Sequence, residues 1–311
     1  AAMIRARSFS LPSRRCAVTM PGALVSYHLD GYAFPLPLLP GSSADFRATY
    51  MPKYESFRRY CEEKQLWSEY RFKSHVFLPW LHNLLVKNER LQQMSRELLC
   101  TDHTVIWSTD WCVKPRSSPE HFTWHQDSTY SKFGLNGCTL WLAFSHVRAS
   151  SGPILYRRFS QRMGQLKHVE DASDSFNLLA FGQYIPDHEP TPLTCSPLSS
   201  GKNWTHLPVV SAAELQPGEA TAHSFLTIHS SQSNQDDLDR VALAVRLVAG
   251  SAGRGRRDRA TLLSGRPEEV HFELEPPPQE ELGEKELAEW QKSMDREKEM
   301  YFEGHDRTGY K

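Results

Sequence analysis

The chain contains no C-x-x-C pair. Its six cysteines, Cys16, Cys61, Cys100, Cys112, Cys138 and Cys195, are scattered, which argues against a zinc ribbon or a thioredoxin-like centre. In a chain of this size they read as reduced thiols of an intracellular protein, with Cys112 and Cys138 as small core residues in strand-like runs. No uninterrupted apolar run approaches the length needed to cross a bilayer. A net charge near −1 gives no electrostatic footing for nucleic acid or for an anionic membrane. No internal repeat is evident. Acidic residues are missing from the first 29 positions, which do carry Arg5, Arg7, Arg14 and Arg15. Organelle transit peptides have that composition, and so do disordered tails; a secretory signal would need an apolar core that is not there. The expected location is cytoplasmic, with an organellar, mitochondrial-type transit segment as the alternative.

What is present is ordinary globular composition: 311 residues, 39% hydrophobic, 23% charged and 11% aromatic, enough to bury a substantial core. Residues 1–25 read as a flexible arm. Ala44 to Gln65 and Asn83–Leu99 read as helices; Leu84, Leu85, Leu91, Met94, Leu98 and Leu99 fit one face of the second. Strand signals follow. Thr104–Lys114 alternates, with Val105, Trp107, Thr109, Trp111 and Val113 on one side and Ile106 and Cys112 on the other. Thr139–Phe144, Ala220–His229, Val241–Val248 and Val270–Leu274 complete the set. Strands that follow two helices without regular βαβ alternation predict a mainly β or α+β fold, not a doubly wound sheet. The expected layout is a domain over 26–278 and a C-terminal helix within 279–311, whose Leu287, Trp290, Met294 and Tyr301 recur at helical spacing. That stripe suits packing on the domain or on a second subunit. Gly250–Arg259, with Arg254, Arg256, Arg257 and Arg259, reads as a solvated loop, or as a loop that meets an anionic substrate.

The chemistry concentrates in His125-Gln126-Asp127, with His229 about a hundred residues on and Arg240 eleven beyond it. On an extended segment residues i and i+2 point to the same side, so His125 and Asp127 can grip one ion while a third ligand comes from a distant strand. Two imidazoles and a carboxylate form the donor set that binds non-heme Fe(II) with positions left open. The guanidinium fork of Arg240 suits bidentate grip of a carboxylate. Taken singly these signals are weak: H-x-D recurs by chance, and a lone histidine near a strand end is usually a surface or core residue.

The surrounding blocks change the weight. Phe122-Thr123-Trp124-His125-Gln126-Asp127-Ser128-Thr129-Tyr130 closely resembles the WHQD-x-x-Y signature of the phytanoyl-CoA dioxygenase family. Gly218-Glu219 through His229-Ser230-Ser231-Gln232-Ser233-Asn234 resembles its GE…H…HGSGPN segment, and Val241–Arg246 its (I/L)-x-(L/F)-A-I-R strand. The resemblance runs from about Tyr27 to about Glu275. It implies a double-stranded β-helix, a jelly-roll barrel with the metal in its mouth. It also implies an Fe(II)- and 2-oxoglutarate-dependent dioxygenase that uses O₂, with ascorbate as a candidate reductant.

By that resemblance His125, Asp127 and His229 hold the iron, and Arg240, Lys114, Trp141 and Ser231 surround 2-oxoglutarate. An Asp at position 127, where related halogenases have a small residue, favours hydroxylation. Gln126, Tyr130, Gln183 and His223 are candidates for the substrate side; Asn177–Gln183 resembles the NLLSRGQ of members that act on small molecules. One stretch departs from the family: Gly152–Arg162 replaces the usual GPLRVIPGSHK, in a loop near the substrate pocket of relatives. The expected substrate is a small charged metabolite such as an aminophosphonate, with succinate and CO₂ released. The oligomeric state is not readable. The alternatives are a His₂Asp zinc hydrolase and a jelly-roll binding protein without turnover.

Overall fold

Every second residue of Val241-Ala242-Leu243-Ala244-Val245-Arg246-Leu247 is large and apolar, and that period organises the molecule. The computed structural model describes residues 22–38, 41–187, 203–253 and 255–301. What the sequence suggests for residues 1–21, Cys195 and Arg254 lies outside them. The strands in chain order are β1 (Tyr32–Pro37), β2 (Thr104–Lys114), β3 (Phe122–His125), β4 (Gly137–Ala143), β5 (Ile154–Arg157) and β6 (Val209–Ser211). They continue with β7 (Glu219–Ser224), β8 (His229–Ser231), β9 (Arg240–Ala249), β10 (Gly255–Ser264) and β11 (Phe272–Leu274). They form a seven-stranded sheet of order β1-β7-β4-β9-β2-β10-β11 and a four-stranded sheet of order β3-β8-β5-β6. The two sheets face each other as a jelly roll. Trp141, Ala242 and Ala244 of the large sheet pack with Ile154 and Tyr156 of the small one.

The outer face of the large sheet carries the main core. Leu140, Leu142, Val241, Leu243, Val245 and Leu247 meet the helices there. These are α1 (Gly22–Asp30), α2 (Ser43–Lys64), α3 (Pro79–Val86), α4 (Glu89–Leu99) and α5 (Glu284–Tyr301). A capping box between Ser42 and Asp45 starts α2, and Gln65 in the left-handed conformation ends it. Asn88 splits the single helix expected over Asn83–Leu99: its side chain accepts from Leu91 N at 3.0 Å and so starts a new helix. The helix α1 covers Gly22–Asp30. Trp290 and Met294 of α5 join the main core, and the Trp290 indole donates to Phe72 O at 2.9 Å. The C-terminal stripe thus packs on the domain. Among the described residues no helix is long and apolar enough to cross a membrane.

Three other expectations change. The run Ala220–His229 is two strands, β7 in one sheet and β8 in the other. In β2 the alternation reverses phase. Its pairing with β9 shifts register between Ile106 and Ser108, so Trp107 packs in one cluster while Ile106 and Trp111 share another. Gly255–Ser264 is a strand and not a loop. Arg259 there is buried, with Nη2 2.6 Å from Glu289 of α5, so it does not meet substrate.

Candidate metal centre and co-substrate pocket

In the small sheet β3 and β8 run antiparallel with His125 opposite His229. The pairing brings the two imidazole centroids to 4.1 Å. Asp127 follows β3, and one ligand atom from each of the three residues lies within 4.8 Å of the others. Each histidine Nδ1 faces the carbonyl two residues back, Thr123 O at 2.7 Å and Thr227 O at 2.9 Å. That contact fixes the proton on Nδ1 and turns the Nε2 lone pair inward. Both Nε2 atoms then stand 3.9 Å from Asp127 Oδ1. Burial holds both imidazoles below the ordinary histidine range, which keeps them in the neutral form that ligates metal.

The other oxygen of Asp127 is held by protein. Thr139 donates to Oδ2 at 2.5 Å, and His223 Nε2 lies 3.3 Å from it. Tyr156 Oη in turn contacts His223 Nδ1 at 3.1 Å and Thr221 Oγ1 at 2.7 Å. Burial alone would raise the Asp127 carboxyl; His223, 3.3 Å from Oδ2, and nearby positive charge overcome it and hold it well below the usual carboxylate range. Two neutral imidazoles and one ionised carboxylate, preset from behind, suit a ferrous ion.

At Ser231, two residues along β8 from His229, two buried basic side chains converge. Lys114, at the end of β2, pairs in register with Arg240 at the start of β9. Lys114 Nζ donates to Ser231 Oγ at 2.6 Å and Arg240 Nη1 to the same oxygen at 3.1 Å. The Arg240 guanidinium lies 5.0 Å from the Trp141 ring centroid and also donates to Gly152 O; its buried Nε has no hydrogen bond. Among the described residues no carboxylate forms an ion pair with either cation. Burial lowers Arg240 to about 10; burial and the Arg240 charge lower Lys114 to about 6. A guanidinium this deep, with an open donor and no counter-ion, beside an amine that a bound anion would charge, fits a bound carboxylate.

One cavity of about 1040 Å³, open mouth included, joins the two regions. His125, Asp127, His229, Arg240, Ser231 and Trp141 line it, as do Tyr130 and His223, whereas Lys114 lies behind Ser231. Cys112 lines it too, and packs against the core cluster between the two sheets. Gln126 does not. Its neighbours His125 and Asp127 face the cavity, so it points the other way. Its amide is used up on Gly164 O, Leu226 O and Leu166 N, at 2.7–2.8 Å. Gln183 is absent from the wall as well: Thr123 and Asn177 hold its carbonyl, and Leu178 and Leu179 line the cavity instead. The unusual Arg157–Arg162 stretch stays outside. Arg157 stacks on Trp124 and donates to Thr205 O and Leu207 O, while Ser160 accepts from Ile228 N at 2.8 Å, next to His229. Sequence reading missed Arg71, Asp110, Arg246 and Glu297 in the wall. Only Arg246 carried a signal, as the last residue of the strand block.

The sequence profile of phytanoyl-CoA dioxygenase (PhyH) matches residues 27–242. The chain belongs to the phytanoyl-CoA dioxygenase family. As a member it is an oxidoreductase, a dioxygenase dependent on Fe(II) and 2-oxoglutarate. No curated protein matches it in sequence. Among solved structures it is similar to the non-heme monooxygenase ThoJ in its apo form, at TM-score 0.70 and 20% identity, over 90% of this chain and 97% of that one. It also resembles EctD from S. alaskensis, solved with 2-oxoglutarate and 5-hydroxyectoine, at TM-score 0.55 and 17% identity, over 81% and 86%. The carbocyclase SnoK from nogalamycin biosynthesis gives 0.51 and 19%, over 81% and 90%. These likenesses share the jelly-roll fold.

Proposed function

We propose that the protein hydroxylates a small charged metabolite, with 2-oxoglutarate converted to succinate and CO₂. In this reading His125, Asp127 and His229 hold the iron. Arg240 and Ser231 take the far carboxylate of 2-oxoglutarate, with Lys114 behind Ser231 and Trp141 beside Arg240. The convergence of buried Arg240 and Lys114 on Ser231 with no carboxylate partner among the described residues, in one cavity with a His₂Asp cluster, carries it. A zinc hydrolase has no use for that second group.

Bound iron supplies O₂ activation coupled to decarboxylation of the keto acid. One oxygen atom enters succinate and the other the new hydroxyl, and the substrate C–H supplies the remaining two electrons. The chain's own part is positional. Thr139 and His223 hold one oxygen of Asp127 so that the other faces the two histidines. Thr123 O and Thr227 O orient the imidazoles. Phe122, Leu178 and Leu179 give the wall apolar surface, which excludes water from the reacting centre.

The test is succinate release that requires Fe(II) and 2-oxoglutarate, in ascorbate buffer, with hydroxylated product read by mass spectrometry across a metabolite panel. His125→Ala, Asp127→Ala and His229→Ala should each abolish turnover and leave the circular dichroism spectrum unchanged. Wild-type-like succinate release by any of the three would remove that residue from the ligand set.

A further inference from the structure

The cavity has a second charged end. Arg246 lies six residues along β9 from Arg240, roughly 20 Å at the rise of a strand, and points to the same side. Its register partners are Thr139 of β4 and Ser108 of β2. Thr139 holds Asp127, and Ser108 holds Glu297 of α5 at 2.9 Å. The candidate metal residues therefore lie between the Arg240 end and a group made of Arg71, Asp110, Arg246 and Glu297, all of which line the cavity.

This group has unused bonding capacity. Asp110 is 7% exposed and Glu297 5%, yet Asp110 Oδ1 and Glu297 Oε2 accept no hydrogen bond. The nearest cations stand beyond hydrogen-bond distance, Arg71 Nη1 at 3.6 Å from Asp110 Oδ1 and Lys73 Nζ at 3.9 Å from Glu297 Oε2. Arg246 forms no ion pair with any described residue, although Asp127, Asp110 and Glu297 all act on its charge. Buried acceptors without donors are costly, and a ligand that brings N–H groups removes the cost. A purely anionic ligand would meet Asp110 and Glu297; a purely cationic one would meet Arg71 and Arg246. An acyl chain would leave Asp110 Oδ1 and Glu297 Oε2 buried without a hydrogen bond.

We propose that this end is the substrate-recognition subsite and that it takes a small zwitterion. A protonated amine that keeps its N–H donors binds Asp110 and Glu297, and anionic oxygens, carboxylate or phosphonate, bind Arg246. The inference rests on the hydroxylase reading above and names its substrate class. It also makes α5 part of the active site, through Glu297.

The test is calorimetric. The full chain, loaded with Zn²⁺ in place of iron and with 2-oxoglutarate, is titrated without O₂ with free amino acids and aminoalkylphosphonates. Each is compared with its N-acetyl, N-trimethyl and amide or ester counterparts. At least one free zwitterion should bind, and each of its three counterparts about tenfold more weakly or worse. Asp110→Asn and Glu297→Gln should each shrink the gap between amine and N-acetyl compound; Arg246→Met should shrink the gap between acid and amide. A misfolded variant loses 2-oxoglutarate binding as well, so these changes in rank order report recognition alone. Equal binding of the singly charged counterparts, or no zwitterion binding by protein that does bind 2-oxoglutarate, overturns the subsite and leaves the hydroxylase reading standing. Failure to bind 2-oxoglutarate at all overturns both.

Discussion

Arg240 and Gln126 show how far a motif reaches at the scale of one residue. Both stand in recognisable blocks, yet one lines the cavity with an open Nε and the other spends its amide on three backbone groups outside it. The side of the chain decides. Arg240→Ala should raise the Michaelis constant for 2-oxoglutarate strongly, because a desolvated charge pair that loses one partner costs on the order of 2–5 kcal/mol. Arg240→Lys should recover only part of it, since an ammonium lacks the planar fork. An unchanged constant in the alanine variant, measured by succinate release, would move the anchoring role to Lys114, the other cation on Ser231.

Elements were legible where a local period or cap governs them. The helix α2 and the strand β9 fall close to their expected limits, because a capping box sets the one and strict alternation the other. The break at Asn88, the phase reversal in β2 and the split between β7 and β8 were not legible. Each depends on a neighbouring element that the local pattern does not contain. For α5 the sequence left two partners open, the domain or a second subunit. Trp290 decides it: the ring is 4% exposed and packs edge-on against Tyr70 and Phe77, at 4.9 and 5.9 Å. Trp290→Ala should cost about 3–5 kcal/mol of unfolding free energy in a denaturant titration. Glu297 lines the cavity from the same helix, so substrate affinity should fall with it. A loss under about 1 kcal/mol, far below the usual cost for a buried tryptophan, would mean that α5 is a loose appendage.

Across the whole molecule, one buried ion group ties distant segments together. Lys73 Nζ lies 2.7 Å from Glu275 Oε1 with both side chains fully buried, and Thr261 donates to Oε2 at 2.7 Å. Burial alone would raise the Glu275 carboxyl; Lys73 and His75 overcome it and hold it far below the usual range. A carboxyl depressed in the fold stabilises fully above its unfolded pKa, and the contribution is lost as pH falls toward the folded value. Acid should therefore weaken the protein progressively below about pH 5. Glu275→Gln should cost about 3–5 kcal/mol at neutral pH, by removing the close partner of buried Lys73 and leaving it only Glu297 at 3.9 Å, and should flatten the acid limb of stability against pH. Melting temperatures from pH 3 to 8 check both. Parallel acid limbs in the variant and the parent would assign the acid sensitivity to other carboxyls.

By itself the sequence determined what local spacing can encode. The H-x-D pair on an extended segment, the alternation of β9, the helix periods and the family blocks needed no partner to be read. The tertiary structure alone decided which charges share a cavity. Arg71 lies between α2 and α3, Asp110 sits mid-strand in β2, Arg246 belongs to β9 and Glu297 to the last helix; no local period links the four. They meet because Ser108–Lys114 of β2 pairs in one register with Arg240–Arg246 of β9 and α5 docks beside them, and those are contacts between segments up to 226 positions apart, from Arg71 to Glu297. A one-residue slip in either strand would turn every one of its side chains to the other face. Register, not composition, therefore set the second charged end of the pocket.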